Sequence, residues 1–412
     1  MKSYAIVGAG ARALSMFARP LVSELGAFAK LVGICDVNLK RAETMSRLCG
    51  GSGIALFDDF DGMLQATQPD TVIVTTIDRN HHEFIIRALE AGCDVVSEKP
   101  LTIDADKMNA IFAAEKKTGR SVTVTFNCRF IPYMVRIKEL LASGAVGDIH
   151  SVHFEWFLDT RHGADYFRRW HRRMSNSGGL LVHKSTHHFD LVNWWLGDVP
   201  ETVHGFGDLR FYGRNGAHAG ERCRSCDHRH TCDFYYDITA NDTVNQLYYQ
   251  AEAEDGYIRD QCVFAKEIDI YDTMTVQAKY EKGASLSYSL TAYNPMEGWR
   301  IAFVGSKGRL EAEDFASGPL SGTSYNTVRL FDRKGDLTTV QVRKAGGGHG
   351  GGDERLRRML FAGDLEDPLG QQAGSWEGAM SLLIGAAANL SIADKKPVVI
   401  RELLHNNPTF IH

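Results

Sequence analysis

The stretch HKSTHHFD, residues 183–190, sets His183, Lys184, His187, His188 and Asp190 within eight positions, directly ahead of the apolar run LVNWWL. Imidazoles titrate near neutral pH, so this cluster suits proton transfer better than it suits a core. If 183–196 forms one helix, His183, His187, Asp190 and Trp194 fall at i, i+4, i+7 and i+11 and share a face. A second chemical stretch is SEKP, where Glu98, Lys99 and Pro100 close an apolar run. An ammonium at Lys99 can hydrogen-bond a hydroxyl and stabilise an alkoxide as hydride leaves the adjoining carbon. A proline in such a place, in the cis form, would redirect the chain and fix the preceding side chain.

GAGARA follows the strand-like run YAIV and puts Gly8, Gly10 and Ala13 in a G-x-G-x-x-A pattern. Glycines there let backbone amides approach a pyrophosphate at a helix N-terminus. Asp36 ends the next apolar run at the offset of an acid that accepts from ribose hydroxyls. A carboxylate in that position repels a 2′-phosphate, which favours NAD over NADP.

YFRRWHRRMSNSGG supplies Arg168, Trp170, His171 and Arg172, types suited to a hydroxyl-rich or anionic substrate. Asn127 and Arg129 stand where the first domain hands over to the second. His349 is flanked by glycines that permit close backbone approach to a ligand. CRSCDHRHTC spaces Cys223, Cys226 and Cys232 as Cys-x2-Cys-x5-Cys, with His228 and His230 between. Two readings stay open for it: a structural zinc site, and a reduced, metal-free cluster that packs its loop. A zinc at His183 and His187 lacks the helix-borne Glu of H-E-x-x-H.

These residues need a frame. YAIVG, LVGICD, TVIVTT, DVVSEKP and SVTVTF alternate with amphipathic helical stretches, the order of a doubly wound parallel sheet. Beyond Phe126, alternating strands from about 202 to 343 predict a mostly antiparallel second sheet, and WEGAMSLLIGAAANLSIAD predicts a late helix. The expectation is an α/β chain: a Rossmann domain over 1–128, then a substrate-binding and oligomerisation domain over 129–412 with a Cys-rich insertion at 212–236. Forty-six basic and 51 acidic residues, a net charge of -5, form no dense cationic block, which argues against nucleic acid and anionic membrane as partners. With no signal-like start and no membrane-length apolar run, a cytoplasmic location is expected.

The glycine turn, Thr76 and His81, Glu98-Lys99-Pro100, the pattern GG…H…H..D…W.LG from Gly178 to Gly197, and the segment EGAMSLLIGAAANLSIADKKPV together resemble the Gfo/Idh/MocA family, the glucose-fructose oxidoreductase and inositol dehydrogenase group. The resemblance covers most of the chain. It implies sugar-like or polyol substrates and a homo-oligomer, dimer or tetramer. It implies a cofactor set of Gly8, Gly10, Arg12, Ala13, Asp36, Arg41, Thr76, His81, Glu98, Lys99 and Asn127. His187 takes the family's catalytic histidine position, with Lys99 beside it and Asp190 to orient it. The chain departs in one respect: many relatives have Asp four residues before that histidine, and here it is His183. Two enzymatic outcomes follow: oxidation of a secondary hydroxyl by NAD, and redox-neutral glycoside cleavage by transient oxidation, with His183 as an extra base. A sugar-sensing regulator without chemistry is the third reading.

Overall fold

The computed structural model describes residues 1–404; residues 405–412 of the expected second domain lie outside them. The first sheet is built from β1 (Lys2–Val7), β2 (Ala29–Cys35), β3 (Ala55–Phe57), β4 (Thr71–Val74), β5 (Asp94–Ser97) and β6 (Val122–Val124), all parallel in the order β6-β5-β4-β1-β2-β3. Its central strands are apolar throughout because helices cover both faces: Val72, Ile73 and Val74 of β4 are fully buried. Helices start where short polar side chains can satisfy free amides. Asn38 caps Leu39–Cys49, Asp59 caps Phe60–Thr67, and Asp104 caps Ala105–Thr118.

The second sheet contains β7 (Ile149–Asp159), β8 (Pro200–Asp208), β9 (Thr273–Tyr280), β10 (Ser285–Asn294), β11 (Gly298–Gly305), β12 (Gly308–Phe315), β13 (Tyr325–Asp332) and β14 (Leu337–Arg343). A short β15 (Ala373–Gly374) returns to pair antiparallel with β6, and β16 (Val398–Val399) joins the second sheet beside β8. The order there is β14-β13-β12-β11-β7-β10-β9-β8-β16, antiparallel except where β10 meets β7. The chain is therefore an α/β protein with a parallel nucleotide-type sheet and an open, mostly antiparallel second sheet. Strict alternation along β9 turns Met274, Val276, Ala278 and Tyr280 inward. The long helix Ser375–Asp394 packs on this face and against the helix Thr186–Leu196. Its Gly385 permits the approach to the segment 179–183: a Cβ there would lie 2.2 Å from the Leu181 carbonyl oxygen.

Between β8 and β9 the alternating pattern expected from about 202 onward is interrupted. Residues 209–272 form a connection of turns and short helices that carries the cysteine cluster and then reaches back to the first domain. Leu247 and Tyr248 share an apolar cluster with Phe17 and Met45, and Asn38 Nδ2 donates to the Ala251 carbonyl oxygen at 2.8 Å. Among the described residues no helix is long and apolar enough to cross a membrane.

Candidate active site

A cleft of about 1220 Å³ is lined from both domains. At its nucleotide end Gly8 has φ +95°, and a Cβ there would sit 2.7 Å from the Thr75 carbonyl carbon, so the turn is closed to any side chain. Gly10 and Arg12 line the cleft, while Ala13 is buried beneath the turn. Asp36 Oδ2 accepts from the Ala9 amide at 2.6 Å, and Oδ1 accepts from the Asn38 amide at 2.9 Å and from Arg41 Nη1 at 3.1 Å. Arg41 Nη2 in turn donates to Asp255 at 2.7 Å, which ties it to a second carboxylate. A turn that only glycine fits, a helix starting behind it and a carboxylate at the end of β2 fit a dinucleotide. The Ala11 amide donates to the Tyr248 hydroxyl at 2.8 Å, so the 209–272 connection touches the turn itself. His81 lies between the Pro100 and Thr76 carbonyl oxygens at 2.8 and 3.1 Å and thereby joins two loops that edge the cleft.

Arg12, Asn127 and His349 meet around a residue that the sequence does not single out, Asp353, and Arg12 links it to Glu98. Arg12 Nε donates to Glu98 at 2.7 Å and its Nη1 to Asp353 at 3.2 Å. Asn127 Nδ2 donates to Asp353 at 2.6 Å, and His349 Nδ1 lies 2.9 Å from the same carboxylate. Burial opposes ionisation of Asp353, yet the His349 hydrogen bond and the Arg12 charge hold its carboxyl below the ordinary range.

Farther along the cleft lie Lys99, His183 and His187. The Lys99-Pro100 bond is cis. Lys99 Nζ donates to the His183 carbonyl oxygen at 2.8 Å, and burial, against the charges of Asp78 and Glu98, lowers its ammonium to about 8. His183 Nδ1 lies 2.5 Å from Asp78 Oδ2. That contact holds the ring through Nδ1. Burial pushes Asp78 well above the carboxylate range, and burial with the Lys99 charge pushes His183 well below the histidine range. His187 is depressed in the same way, with Lys99 and Lys184 adding to burial. Trp170 stacks on His171 with ring centroids 3.7 Å apart, and His171 meets the His183 ring edge-on at 4.2 Å. Thr76, Trp170, His171 and His349 all line the cleft.

Several expectations need correction. Residues 183–196 are not one helix: Gly179–His183 ends, Lys184 and Ser185 turn, and Thr186–Leu196 begins. His183 therefore does not share one helical face with His187, Asp190 and Trp194. Asp190 does not orient His187, since both its oxygens are taken by Arg129 at 2.8 and 2.6 Å in a pair buried on all sides. Arg129 is thereby withdrawn from the substrate as well. Trp194 donates instead to the Leu369 carbonyl oxygen at 2.8 Å. Arg168 is buried against the Cys223 thiol at 3.0 Å and the Phe234 carbonyl oxygen at 2.9 Å, away from the cleft. Among the described residues no three His, Cys, Asp or Glu side chains converge as a metal would require. Cys223, Cys226 and Cys232 do not assemble a zinc site; Cys223 packs beneath Arg168 while its neighbours stay partly exposed.

The family model for the NAD-binding Rossmann fold of the GFO_IDH_MocA oxidoreductases matches residues 2–126, and the model for their C-terminal alpha/beta domain matches residues 138–400. The chain belongs to this family. It is an oxidoreductase family whose N-terminal domain is an NAD-binding Rossmann fold. The Bacillus subtilis (strain 168) protein YteT is 37% identical over 98% of this chain and 99% of its own length. The D-glucoside 3-dehydrogenase of Escherichia coli (strain K12) is 28% identical over 41% of this chain, a match that spans 47% of that enzyme. A levoglucosan dehydrogenase solved with NADH and levoglucosan shares the fold at a TM-score of 0.69, with 17% identity over 97% of this chain and 99% of its own.

Proposed function

We propose that this family member is an NAD-dependent dehydrogenase that takes hydride from a secondary alcohol carbon of a sugar, polyol or glycoside. The observation that supports it best is that Lys99, His183 and His187 line the same cleft as the glycine turn and Asp36. When bound, the nicotinamide supplies the hydride acceptor. His187 takes the hydroxyl proton: it lines the cleft with Lys99, and burial and the Lys99 charge hold its imidazole in the neutral form that can accept. The Lys99 ammonium gives one proton to the His183 carbonyl and has others for the substrate oxygen, where negative charge grows as the C–H bond breaks. Asp36 favours NAD over NADP, and Arg41, held by Asp36 and Asp255, is not free to welcome a 2′-phosphate. Relatives named for glucosides, inositol and levoglucosan support a sugar-like substrate.

The His183–Asp78 pair favours a second reading, redox-neutral glycoside cleavage. A neutral imidazole fixed through Nδ1 presents Nε2 to remove the C–H proton beside a transient ketone. The aglycone then leaves from the adjacent carbon, water adds in its place and the hydride returns from the reduced cofactor to the ketone, so there is no net oxidation. Mixing NAD-loaded protein with free sugars and with aryl glycosides separates the two. Accumulating NADH with oxidised sugar supports the dehydrogenase, and aryl alcohol release without NADH supports cleavage. If sugars of both kinds leave the cofactor oxidised and no aryl alcohol is released, both readings fall.

A further inference from the structure

One wall of the cleft carries more positive charge than its own residues neutralise. The helix Thr160–Arg168 and the turn after it contribute Asp165, Tyr166 and Arg169, and the 209–272 connection contributes Tyr248, Tyr257 and Arg259. Arg169 Nη1 holds Asp165 Oδ2 at 2.6 Å. Arg259 reaches the other Asp165 oxygen only at 4.0 Å, beyond a hydrogen bond, and lies over the Tyr248 ring at 4.6 Å. Among the described residues the Arg259 guanidinium donates no hydrogen bond, although its side chain is only 11% exposed. Arg259 Nε, Arg169 Nε and the Tyr257 hydroxyl are all closed off without a partner. Burial opposes ionisation of Asp165, yet Arg169 and Arg259 draw it down to about 2. One carboxylate thus serves two guanidinium groups.

A cation sheltered from water and left without acceptors is costly. Stacking on Tyr248 offsets only part of that cost and satisfies none of the five N–H donors of the fork. The guanidinium fork matches a carboxylate in shape and charge. Tyr166, on the same helix as Asp165, brings this wall to the reacting end: its ring lies 5.6 Å from that of His183.

We propose that Arg259, with Arg169 and Tyr257, forms a subsite for a carboxylate on the substrate, so that the preferred sugar is a hexuronic acid or a glycoside of one. The inference rests on the dehydrogenase reading for its kinetic test and not for its binding test. An anionic group could also come from the pyrophosphate of the dinucleotide, because Tyr248 touches the Ala11 amide.

The probes are glucuronate, its methyl ester and glucose, each added to NAD-loaded wild type, Arg259→Gln and Tyr257→Phe proteins. Calorimetry reads binding without turnover, and bound NADH formation reads hydride transfer. Wild type should bind glucuronate about tenfold or more tightly than the ester or glucose, the worth of one charged hydrogen bond. Arg259→Gln should bring that ratio toward one while NAD affinity, titrated separately, holds. Tyr257→Phe should lower the ratio by a smaller factor, which keeps the test intact if the arginine variant fails to fold. Equal binding of acid and ester by wild type overturns the subsite. So does a ratio that survives Arg259→Gln, and a loss of NAD affinity with the ratio intact would assign Arg259 to the pyrophosphate. If glucuronate binds selectively but no sugar reduces the cofactor, the dehydrogenase reading fails and the subsite stands.

Discussion

Replacing Arg129 with Ala should unfold the chain far more readily without touching its chemistry. The guanidinium gives two hydrogen bonds to Asp190 and a third, at 3.1 Å, to the Gly370 carbonyl oxygen, and both partners of the ion pair are almost wholly buried. Its removal strands a carboxylate in the interior, which costs about 3–5 kcal/mol and, in a chain of this length, lowers the melting temperature by roughly 3–6 °C. The deficit should depend on pH. Burial holds the Asp190 carboxyl up at about 6 even though Arg129 pulls it down. The folded chain therefore binds a proton that the unfolded chain has already released, and the stability linked to Asp190 is present at low pH and lost as pH rises through about 6. Without Arg129 the folded value rises further, so the deficit should be small near the unfolded carboxylate value and grow toward neutrality. Denaturant melts of parent and variant across that range measure it directly, and the folded fraction of the variant should still turn over. A deficit under about 1 kcal/mol, or one flat with pH, would refute the buried-pair account. Loss of turnover in folded protein would return Asp190 to the catalytic set.

Lys99→Ala and His187→Ala should each depress hydride transfer on the order of 10²-fold while NAD titrations stay close to the parent, since neither residue lies in the glycine turn. The parent rate should fall as pH rises through about 8, where Lys99 loses the proton that steadies the alkoxide, and Lys99→Ala should lack that limb. Asp36→Ala should erode the preference for NAD by roughly 1–3 kcal/mol, and tighter binding of NADP by the unaltered protein would refute the assignment. Asp78→Asn should leave NAD affinity intact but alter the pH profile of any step that uses His183; an unchanged profile would make the pair structural.

The first sheet was legible because its strands are buried on both faces and so read as unbroken apolar runs, TVIV above all, and the glycine turn because only one residue type fits it. The second sheet was legible in its alternation, but not across 209–272, where polar turns replace period-two patterning. The cleft helix misled: Lys184 and Ser185 carry no helix-breaking signature, yet the chain turns there, and the single helical face that would join His183 to His187 and Asp190 is lost. Partners across the fold left no local trace. Asp78 lies 105 residues from His183, and Tyr248 lies 237 residues from Ala11. The departure at His183 was visible; that a carboxylate arrives from the loop after β4 to serve it was not.

The segment 246–255 touches Ala11, Arg41, Arg47 and Asn38 of the first domain and seals Leu247 against Met45 and its neighbours. It follows that the two halves are not interchangeable parts. A nucleotide domain grafted from a relative with a short β8–β9 connection would bring no seat for Leu247 and no partner for Asp255, and trimming the connection here would expose apolar surface and strip Arg41 of its second carboxylate. Changes in length at 209–272 and changes of residue at 38, 41 and 45 should therefore travel together through the family, as a lock and its key are recut as a pair.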